Sequence, residues 1–378
     1  MTQNPAGVTV TTVPAAAGNA EAHQKTIAAL AAGSPPNLVI NWHFLLSDFF
    51  NQGGTVDVDA ALKGNADWKK ARPSLYPYLA DGFSWQGKLF AIPVYNSLYQ
   101  MYYQPNLLRR AGLPTSPPRT WNWDQFSDFQ KKAATPPDIT GYDDEWTYAR
   151  TGMMALGNGF RPLSQDGTKF VFNSPEVQET VEWELGLVKS GLMRAHDGSA
   201  NGGWSEKLPQ GRVVFQLAIA ARVPTYRKDG VDFGTCYYPI GPKSKDKKNY
   251  SHGVSYGVAV FQGDPKKVQA ALLAGLWTTR PDAGAVYAEV GGVPPSYKHT
   301  VEDALFQAQF KKDAESWPFY DILPNYIPMP SFPGFIEARN EVDGQLRAIW
   351  SGKTSVRDGL NEAPRLGQAR LDQARQAK

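Results

Sequence analysis

Apolar residues occur in short runs separated by longer segments with a helical period, which predicts a mixed α/β protein. The run Val8–Val13 alternates valine and threonine, and Asn37–Ile40 is short and apolar, so both predict strands. Between them, Glu21–Ala32 has apolar residues at helical spacing, and Gly33 follows as a residue that ends helices. Strands and helices therefore alternate from the beginning of the chain.

The stretch from Gly87 to Phe126 carries the densest set of signals. Leu89–Ile92 is apolar and strand-like and is stopped by Pro93, while Gln100–Tyr103 predicts a second strand. The two predicted strands flank a polar and aromatic patch that contains Tyr95, Asn96 and Tyr99.

A short helix, a stiff connector and a longer helix follow this patch. Leu107–Ala111 predicts one short helix, which Gly112 ends. Three prolines between positions 114 and 118 stiffen the connector. Thr120 is the predicted N-cap of a helix that extends to Thr135.

This stretch resembles the signature of extracellular solute-binding proteins of the maltodextrin-binding-protein-like class, which serve ATP-binding-cassette importers. The family pattern is G-K-x-Y-A-L-P, a polar patch, L-Y-Y-N-K-D-L, a short helix, A-G-L, prolines and T-W-x-x-F. Gln104 and Asn106 depart from it, because the family prefers Asn and Asp there, but they lie beside the hinge and not in the ligand patch. The matching residues are Gly87-Lys88, Pro93, Tyr102-Tyr103, Leu107, Ala111-Gly112-Leu113, Pro117-Pro118 and Thr120-Trp121.

Further motifs follow in the family's order. Ser174–Glu176 matches a strand-to-helix junction, Gly253–Val260 resembles the second crossing strand, and Gly291–Pro294 matches the third crossing. Arg347–Val356 resembles the final helical motif. One departure concerns the second lobe, where Ala220–Arg222 stands in place of an expected tryptophan.

The resemblance implies a two-lobed periplasmic-binding-protein-like α/β fold of type II, with three crossings between the lobes. The N-lobe would comprise Met1–Leu107 and Tyr256–Pro294, and the C-lobe Leu108–Ser255 and Pro295–Lys378. The ligand would bind between the lobes, which would close about the crossing strands.

The start of the chain departs from the family pattern. The segment at Asn4–Val10 is similar to the family's second strand, and no first strand, first helix or export signal precedes it. We expect a longer natural polypeptide that works outside the cytoplasmic membrane, in the periplasm or lipid-anchored at the cell surface. The alternative is that another segment fills the gap and the 378 residues are complete.

Composition adds three points, on ligands, on partners and on disulfides. Aromatic residues make up 12% of the chain, with 11 Trp and 17 Tyr, and such flat rings suit carbohydrate faces as well as protein cores. The net charge of +3 is too small to indicate nucleic acid or a membrane surface as a partner. Cys236 is the single cysteine, which excludes an internal disulfide framework.

Candidate ligand-binding residues follow from the resemblance and from the chemistry of sugars. Asn41 and Trp42 stand at the carboxyl end of a predicted strand, where open α/β sheets bind ligands, although Trp42 also fits a core position. Sugars need flat platforms and polar groups at the rim. The predicted platforms are Trp42, Tyr95, Trp204 and Tyr256, and the predicted edge groups are Asn41, Asn96 and Arg150.

Catalytic and metal-binding patterns are missing from the sequence. The five histidines are scattered, and no nucleophile elbow or phosphate-binding loop occurs. We therefore predict a monomeric binding protein without cofactor, metal or enzymatic activity, whose partners are a mono- or oligosaccharide and the permease subunits of an importer. A carbohydrate-active hydrolase is the main alternative, because paired carboxylates can come from distant positions.

Overall fold

One long strand, β4 (Ile92–Tyr103), belongs to both lobes of this α/β structure and connects their sheets. Its first half pairs antiparallel with β8 (Ser251–Val260), and its second half pairs antiparallel with β6 (Val213–Ile219) and β7 (Gly234–Cys236). The structure is a computed structural model that describes residues 8–12, 18–144, 147–195, 207–311 and 317–376.

The remaining strands complete the two sheets. In the first lobe, β1 (Leu38–Trp42) pairs antiparallel with β8, and β9 (Tyr326–Pro328) runs parallel to the start of β8. In the second lobe, β5 (Thr140–Asp143) runs parallel to β6. A small hairpin of β2 (Ser84–Trp85) and β3 (Lys88–Leu89) precedes β4.

Helices cover the sheets of both lobes. In the first half of the chain they are α1 (Asn19–Ala31), α2 (His43–Asn51), α3 (Val58–Ala61), α4 (Ala66–Ala71), α5 (Pro77–Gly82), α6 (Pro105–Arg110), α7 (Trp123–Ala133), α8 (Thr147–Gly157) and α9 (Pro175–Lys189). In the second half they are α10 (Arg222–Lys228), α11 (Pro265–Trp277), α12 (Pro281–Gly291), α13 (Lys298–Val301), α14 (Ala304–Lys311), α15 (Trp317–Asp321), α16 (Phe335–Trp350), α17 (Val356–Glu362) and α18 (Arg365–Gln376). No helix among the described residues is long and apolar enough to cross a membrane.

The sequence prediction of α1, β1 and β8 is confirmed. The strand predicted at Leu89–Ile92 is divided, because Leu89 ends β3 and Ile92 begins β4, which continues through Pro93 into the second predicted strand. Pro93 lies inside β4, where the register with β8 shifts between Pro93 and Tyr95. A bulge is one of the places where a sheet tolerates proline, since the ladder is locally interrupted there. The proline therefore bends the strand without ending it.

Two further predictions are corrected. The helix predicted from Thr120 begins at Trp123, because Asn122 caps it in a capping box with Gln125. The described part of the run Val8–Val13 forms no strand, and residues 9–12 are exposed. Within the described ranges β1 pairs only with β8.

Two buried histidines tie β8 to the segment that leads into α16. His43 accepts a hydrogen bond at Nδ1 from the Ser255 N–H (3.1 Å) and donates from Nε2 to the Met329 carbonyl (2.7 Å). His252 donates from Nδ1 to the Ile327 carbonyl at 2.6 Å. Nδ1 also lies 3.2 Å from the Ser255 carbonyl oxygen, so it is chiefly the burial of the ring that favours its neutral form.

The backbone is tightly packed where β8 crosses between the lobes. Gly253 has a φ of +157°, and a Cβ there would lie 2.4 Å from the Ser97 carbonyl oxygen. Beside it, residues 294–296 bond to β4, with the Asn96 N–H donating to the Pro294 carbonyl at 2.8 Å. The lobe boundaries themselves stay a prediction.

These histidines predict acid-sensitive folding. Burial lowers the pKa of both His43 and His252 to about 4, from an ordinary value of 6.5. The unfolded chain therefore binds more protons between pH 6.5 and 4, so each histidine's contribution is complete above pH 6.5 and is lost as pH falls toward 4. Each loss approaches about 3 kcal/mol at 1.36 kcal/mol per pKa unit.

The measurement is urea unfolding at pH 7 and pH 4.5 of the wild type and of His252→Gln, whose amide also donates. We expect the wild type to lose about 2 kcal/mol more than the variant. This comparison is needed because burial raises the pKa of Glu184 to about 7, and Glu184 therefore stabilises the fold as pH falls. Equal losses in the two proteins would contradict the assignment.

Candidate functional site

Three aromatic side chains lie side by side on neighbouring strands of the first lobe. Trp42 is the last residue of β1 and is paired with Tyr256 of β8, which is in turn paired with Tyr95 of β4. Side chains at paired positions project from the same face of a sheet. All three are half-buried, and we refer to them as the aromatic row.

The aromatic row is held by ring contacts and one hydrogen bond. The Tyr95 ring stacks on the Tyr256 ring with a centroid distance of 4.6 Å and an interplanar angle of 22°. Trp42 donates from Nε1 to the Tyr256 hydroxyl at 2.8 Å. Tyr287 of α12 extends the row, with its ring centroid 5.3 Å from that of Tyr95. Aromatic pairs of this kind contribute about 0.5–1.5 kcal/mol beyond their buried area, so the row is a rigid surface.

The aromatic row lies where the two lobes meet. Tyr95 and Tyr256 belong to β4 and β8, and β4 begins to pair with β6 of the second lobe at Tyr99, four residues beyond Tyr95. A small molecule that binds on this face is therefore next to the strand that connects the lobes.

The second lobe also reaches the helix that carries Tyr287. Gly292 follows α12 with a φ of +62°, and a Cβ there would lie 2.7 Å from Cδ of Pro224 in α10. The segment Ala220–Arg222, which replaces the tryptophan of the family pattern, leads into α10. The contact between α10 and the end of α12 therefore brings the second lobe close to the helix that carries Tyr287.

Asn41 lies behind the row and connects it to α1. Its side chain is completely buried, donates from Nδ2 to the Asn19 carbonyl (3.1 Å) and accepts at Oδ1 from the Trp42 N–H (2.8 Å). Asn19 in turn donates from Nδ2 to the Tyr256 hydroxyl at 3.0 Å. The described contacts of Asn41 thus position Trp42 and Asn19.

Asn96 is also completely buried and joins the crossing segments. Its Nδ2 donates to the Pro295 carbonyl at 3.1 Å, and its Oδ1 accepts from the Ser255 hydroxyl at 2.8 Å. Both ends of the amide are therefore occupied by protein groups. Asn96 holds β4 against β8 and against the third connection between the lobes.

Arg150 of α8 is fully buried inside the second lobe. Its Nη1 lies 2.5 Å from Oδ2 of Asp144, its Nε lies 3.9 Å from Oε1 of Glu184, and its guanidinium carbon is 4.0 Å from the centroid of the Trp350 ring. Burial raises the pKa of Glu184 to about 7, and the adjacent guanidinium opposes that increase. The structure thus places Arg150 in an internal ion network and not among the residues of the aromatic row.

The remaining predicted platform, Trp204, lies outside the described residues. Two residues of the site were missed by sequence reasoning, Asn19 and Tyr287. Asn19 begins a helix and carries no motif, and the only signal for Tyr287 is that Gly291–Pro294 follows it by a few residues. Their contribution depends on tertiary contacts that the sequence pattern does not encode.

A surface groove of about 470 Å³ lies elsewhere in the second lobe. It is lined by residues between positions 120 and 247, including Trp123 and Trp183, whose rings stack at 4.5 Å and 15°. Movement between the lobes would not close it, because one lobe supplies all of its walls. Within the described residues no group of three or more His, Cys, Asp or Glu is arranged to hold a metal ion.

Comparison with known proteins identifies the family. The model of the bacterial extracellular solute-binding protein family matches residues 2–315. The chain therefore belongs to this family, whose members bind solutes outside the cytoplasm. This assignment favours the binding protein over the hydrolase among the functions that the sequence left open.

Individual relatives are distant but cover most of the chain. A putative binding protein of Brucella abortus (strain 2308) is 23% identical over 338 residues, covering 87% of this chain and 78% of the relative. The sn-glycerol-3-phosphate-binding periplasmic protein UgpB of Escherichia coli (strain K12) is 24% identical over 321 residues, covering 79% of this chain and 70% of the relative.

Solved structures confirm the two-lobed fold. The cyclic α-maltosyl-1,6-maltose binding protein of Arthrobacter globiformis matches with a TM-score of 0.80 and 17% identity, covering 94% of this chain and 89% of that one. UgpB of Mycobacterium tuberculosis, in complex with glycerophosphocholine, matches with a TM-score of 0.79 and 17% identity, covering 96% and 90%. The fold is therefore shared by proteins that bind different small molecules.

The placement of Arg150 predicts a stability effect. Replacement of Arg150 by methionine leaves Asp144 and Glu184 buried without their cation, which should lower the free energy of unfolding by about 3–5 kcal/mol. Arg280→Met is the matched control, because Arg280 pairs with Asp282 through side chains that are 51% and 41% exposed. Such pairs contribute about 0–1 kcal/mol. Urea unfolding measures both, and a small loss for Arg150→Met accompanied by weaker ligand binding would contradict the structural role.

Proposed function

We propose that this protein is the extracytoplasmic binding component of an ATP-binding-cassette importer and binds a mono- or oligosaccharide between its lobes. The observation that carries the proposal is the aromatic row beside the point where β4 passes from one sheet to the other, in a chain of the solute-binding family. Clefts between domains are common sites for small molecules. In this proposal Trp42, Tyr95 and Tyr256 form the first-lobe wall, and Asn41 and Asn96 support it.

The chemistry around the row favours a neutral, hydroxylated ligand. Sugar rings present apolar C–H faces that pack on aromatic rings, and their hydroxyls need polar partners at the edges. The described hydrogen-bond partners within the row are an indole, a phenol and amides, all of them uncharged. A glycerophosphate ligand would instead call for cationic donors at its phosphate. This difference favours the sugar class over the ligand class of the UgpB relatives.

Ligand binding is proposed to close the lobes about the crossing strands. The segment Tyr103–Asn106, at the end of β4, and the segment Gly253–Gly257, which begins and ends with glycine inside β8, would absorb the change in φ and ψ. A ligand stabilises the closed form only through the better contacts that it makes there. The row would supply the first-lobe part of those contacts.

The same proposal includes the partner subunits of the protein and its location. The closed, ligand-loaded protein would dock as a monomer on the permease subunits of the importer. It would do so outside the cytoplasmic membrane, in the periplasm or anchored at the cell surface. The proposal also places the boundaries between the lobes at residues 107, 255 and 294.

The proposal predicts loss of affinity when the wall is truncated. Trp42→Ala should weaken binding by about 1–3 kcal/mol, because a half-buried aromatic anchor loses its contact with the sugar face. Trp204→Ala tests the second-lobe contribution in the same way. Isothermal titration with maltose and larger oligosaccharides measures both.

Trp277→Ala serves as the control for loss of a tryptophan, because Trp277 ends α11 and is 37% exposed. Its affinity should equal that of the wild type. Unchanged affinity in both Trp42→Ala and Trp204→Ala would rule out this choice of wall.

A further inference from the structure

We propose that the Tyr256 hydroxyl is fixed as a hydrogen-bond donor to the ligand, so that the site selects molecules with an acceptor oxygen at this position. The inference rests on the proposed site between the lobes, but it does not depend on the ligand being a sugar. It assigns Tyr256 a specificity role beyond that of a platform. Asn19 and Trp42 become the residues that position its proton.

The number of hydrogen bonds that a phenol can make defines the role that is left to the Tyr256 hydroxyl. A phenol oxygen donates one hydrogen bond and accepts up to two. Tyr256 accepts from Trp42 Nε1 at 2.8 Å and from Asn19 Nδ2 at 3.0 Å, so both of its acceptor positions are filled. An indole N–H is a donor only, which fixes the direction of the first bond. No acceptor among the described residues receives the Tyr256 proton, which therefore remains available to a ligand.

A chain of hydrogen bonds holds the two donors in place. Asn41 accepts from the Trp42 N–H (2.8 Å) and donates to the Asn19 carbonyl (3.1 Å), so one buried amide ties together the backbones of both donor residues. Asn19 is also anchored as the first residue of α1. Rotation of the phenol away from this arrangement would break two hydrogen bonds at once.

The hydroxyl keeps its proton and is a good donor. Burial raises the pKa of Tyr256, while the hydrogen bonds from Trp42 and Asn19 act in the opposite direction. Two donors on the same oxygen polarise the O–H bond, and such chains of hydrogen bonds strengthen one another. Tyr95 stacks on the ring, so the polar edge of Tyr256 has a fixed orientation.

The available proton of Tyr256 determines which ligand groups can bind beside it. Ring, glycosidic and hydroxyl oxygens of a sugar, and the oxygens of a phosphate or carboxylate, all accept a hydrogen bond. A protonated amine in this position does not, because it has no acceptor. The site should therefore tolerate replacement of one sugar hydroxyl by a methoxy group and reject its replacement by hydrogen or by an ammonium group.

The first test compares Tyr256→Phe with Tyr250→Phe. Phenylalanine preserves the ring and its stacking and removes only the O–H, while Tyr250 belongs to the second lobe and bonds to Asp246. Isothermal titration with maltose, D-tagatose and glycerophosphocholine gives the affinities. The probe that binds the wild type best should bind Tyr256→Phe roughly 5- to 30-fold more weakly and Tyr250→Phe unchanged.

The second test redirects the Tyr256 proton by substitutions at Asn19 and leaves Tyr256 itself unchanged. A carboxylate in Asn19→Asp accepts the phenol proton, so affinity should fall as in Tyr256→Phe, whereas Asn19→Leu leaves the proton available and should lose much less. Aspartate suits the first turn of a helix, so α1 should be preserved. Asn19→Asp combined with Tyr256→Phe should bind no more weakly than Tyr256→Phe alone, a coupling that a merely structural role would not produce.

The outcomes separate this inference from the proposed function. Binding of glycerophosphocholine alone, weakened by Tyr256→Phe, would contradict the sugar proposal and support the fixed donor. Binding of maltose or tagatose with an affinity for Tyr256→Phe within twofold of the wild type would overturn the fixed donor and leave the sugar proposal standing. Equal affinities of Asn19→Asp and Asn19→Leu would also overturn it.

Discussion

The sharing of β4 between two sheets is the constraint on which the rest of the structure depends. Its first half is hydrogen-bonded to β8 and its second half to β6 and β7, so neither sheet is complete without it. A strand that is continuous through both lobes fixes their separation while it allows bending at the crossing. The tight contact at Gly253 and the neutral imidazole of His43 brace this crossing from the neighbouring strand.

The aromatic row follows from the same arrangement. The antiparallel pairing of β1, β8 and β4 places Trp42, Tyr256 and Tyr95 in register, and β8 and β4 are the strands that continue into the second lobe. A ligand on the row therefore lies next to the proposed hinge, where the two lobes stay close together during a rotation. The buried amides behind the row make its geometry rigid before any ligand arrives, which reduces the entropy lost on binding.

Local patterns predicted the elements that depend on local chemistry. The helical period of α1 and the apolar run of β1 were sufficient, and the order of family motifs indicated the two-lobed fold. The pattern misjudged Pro93, because a bulge is a property of the assembled sheet, and it predicted a strand at Val8–Val13 where the described residues form none. Arg150 was predicted as an edge group because sugar hydroxyls need polar partners at the rim, yet it lies buried beside Asp144 and Glu184. Tyr287 joins the site only through a contact across helices.

Closure of the lobes on a bound sugar is the central claim, and small-angle X-ray scattering tests it most directly. The protein would be measured alone and at saturation with an oligosaccharide that calorimetry has shown to bind. The account predicts a smaller radius of gyration for the saturated protein, with no change in its mass. An unchanged radius of gyration at demonstrated saturation would contradict it.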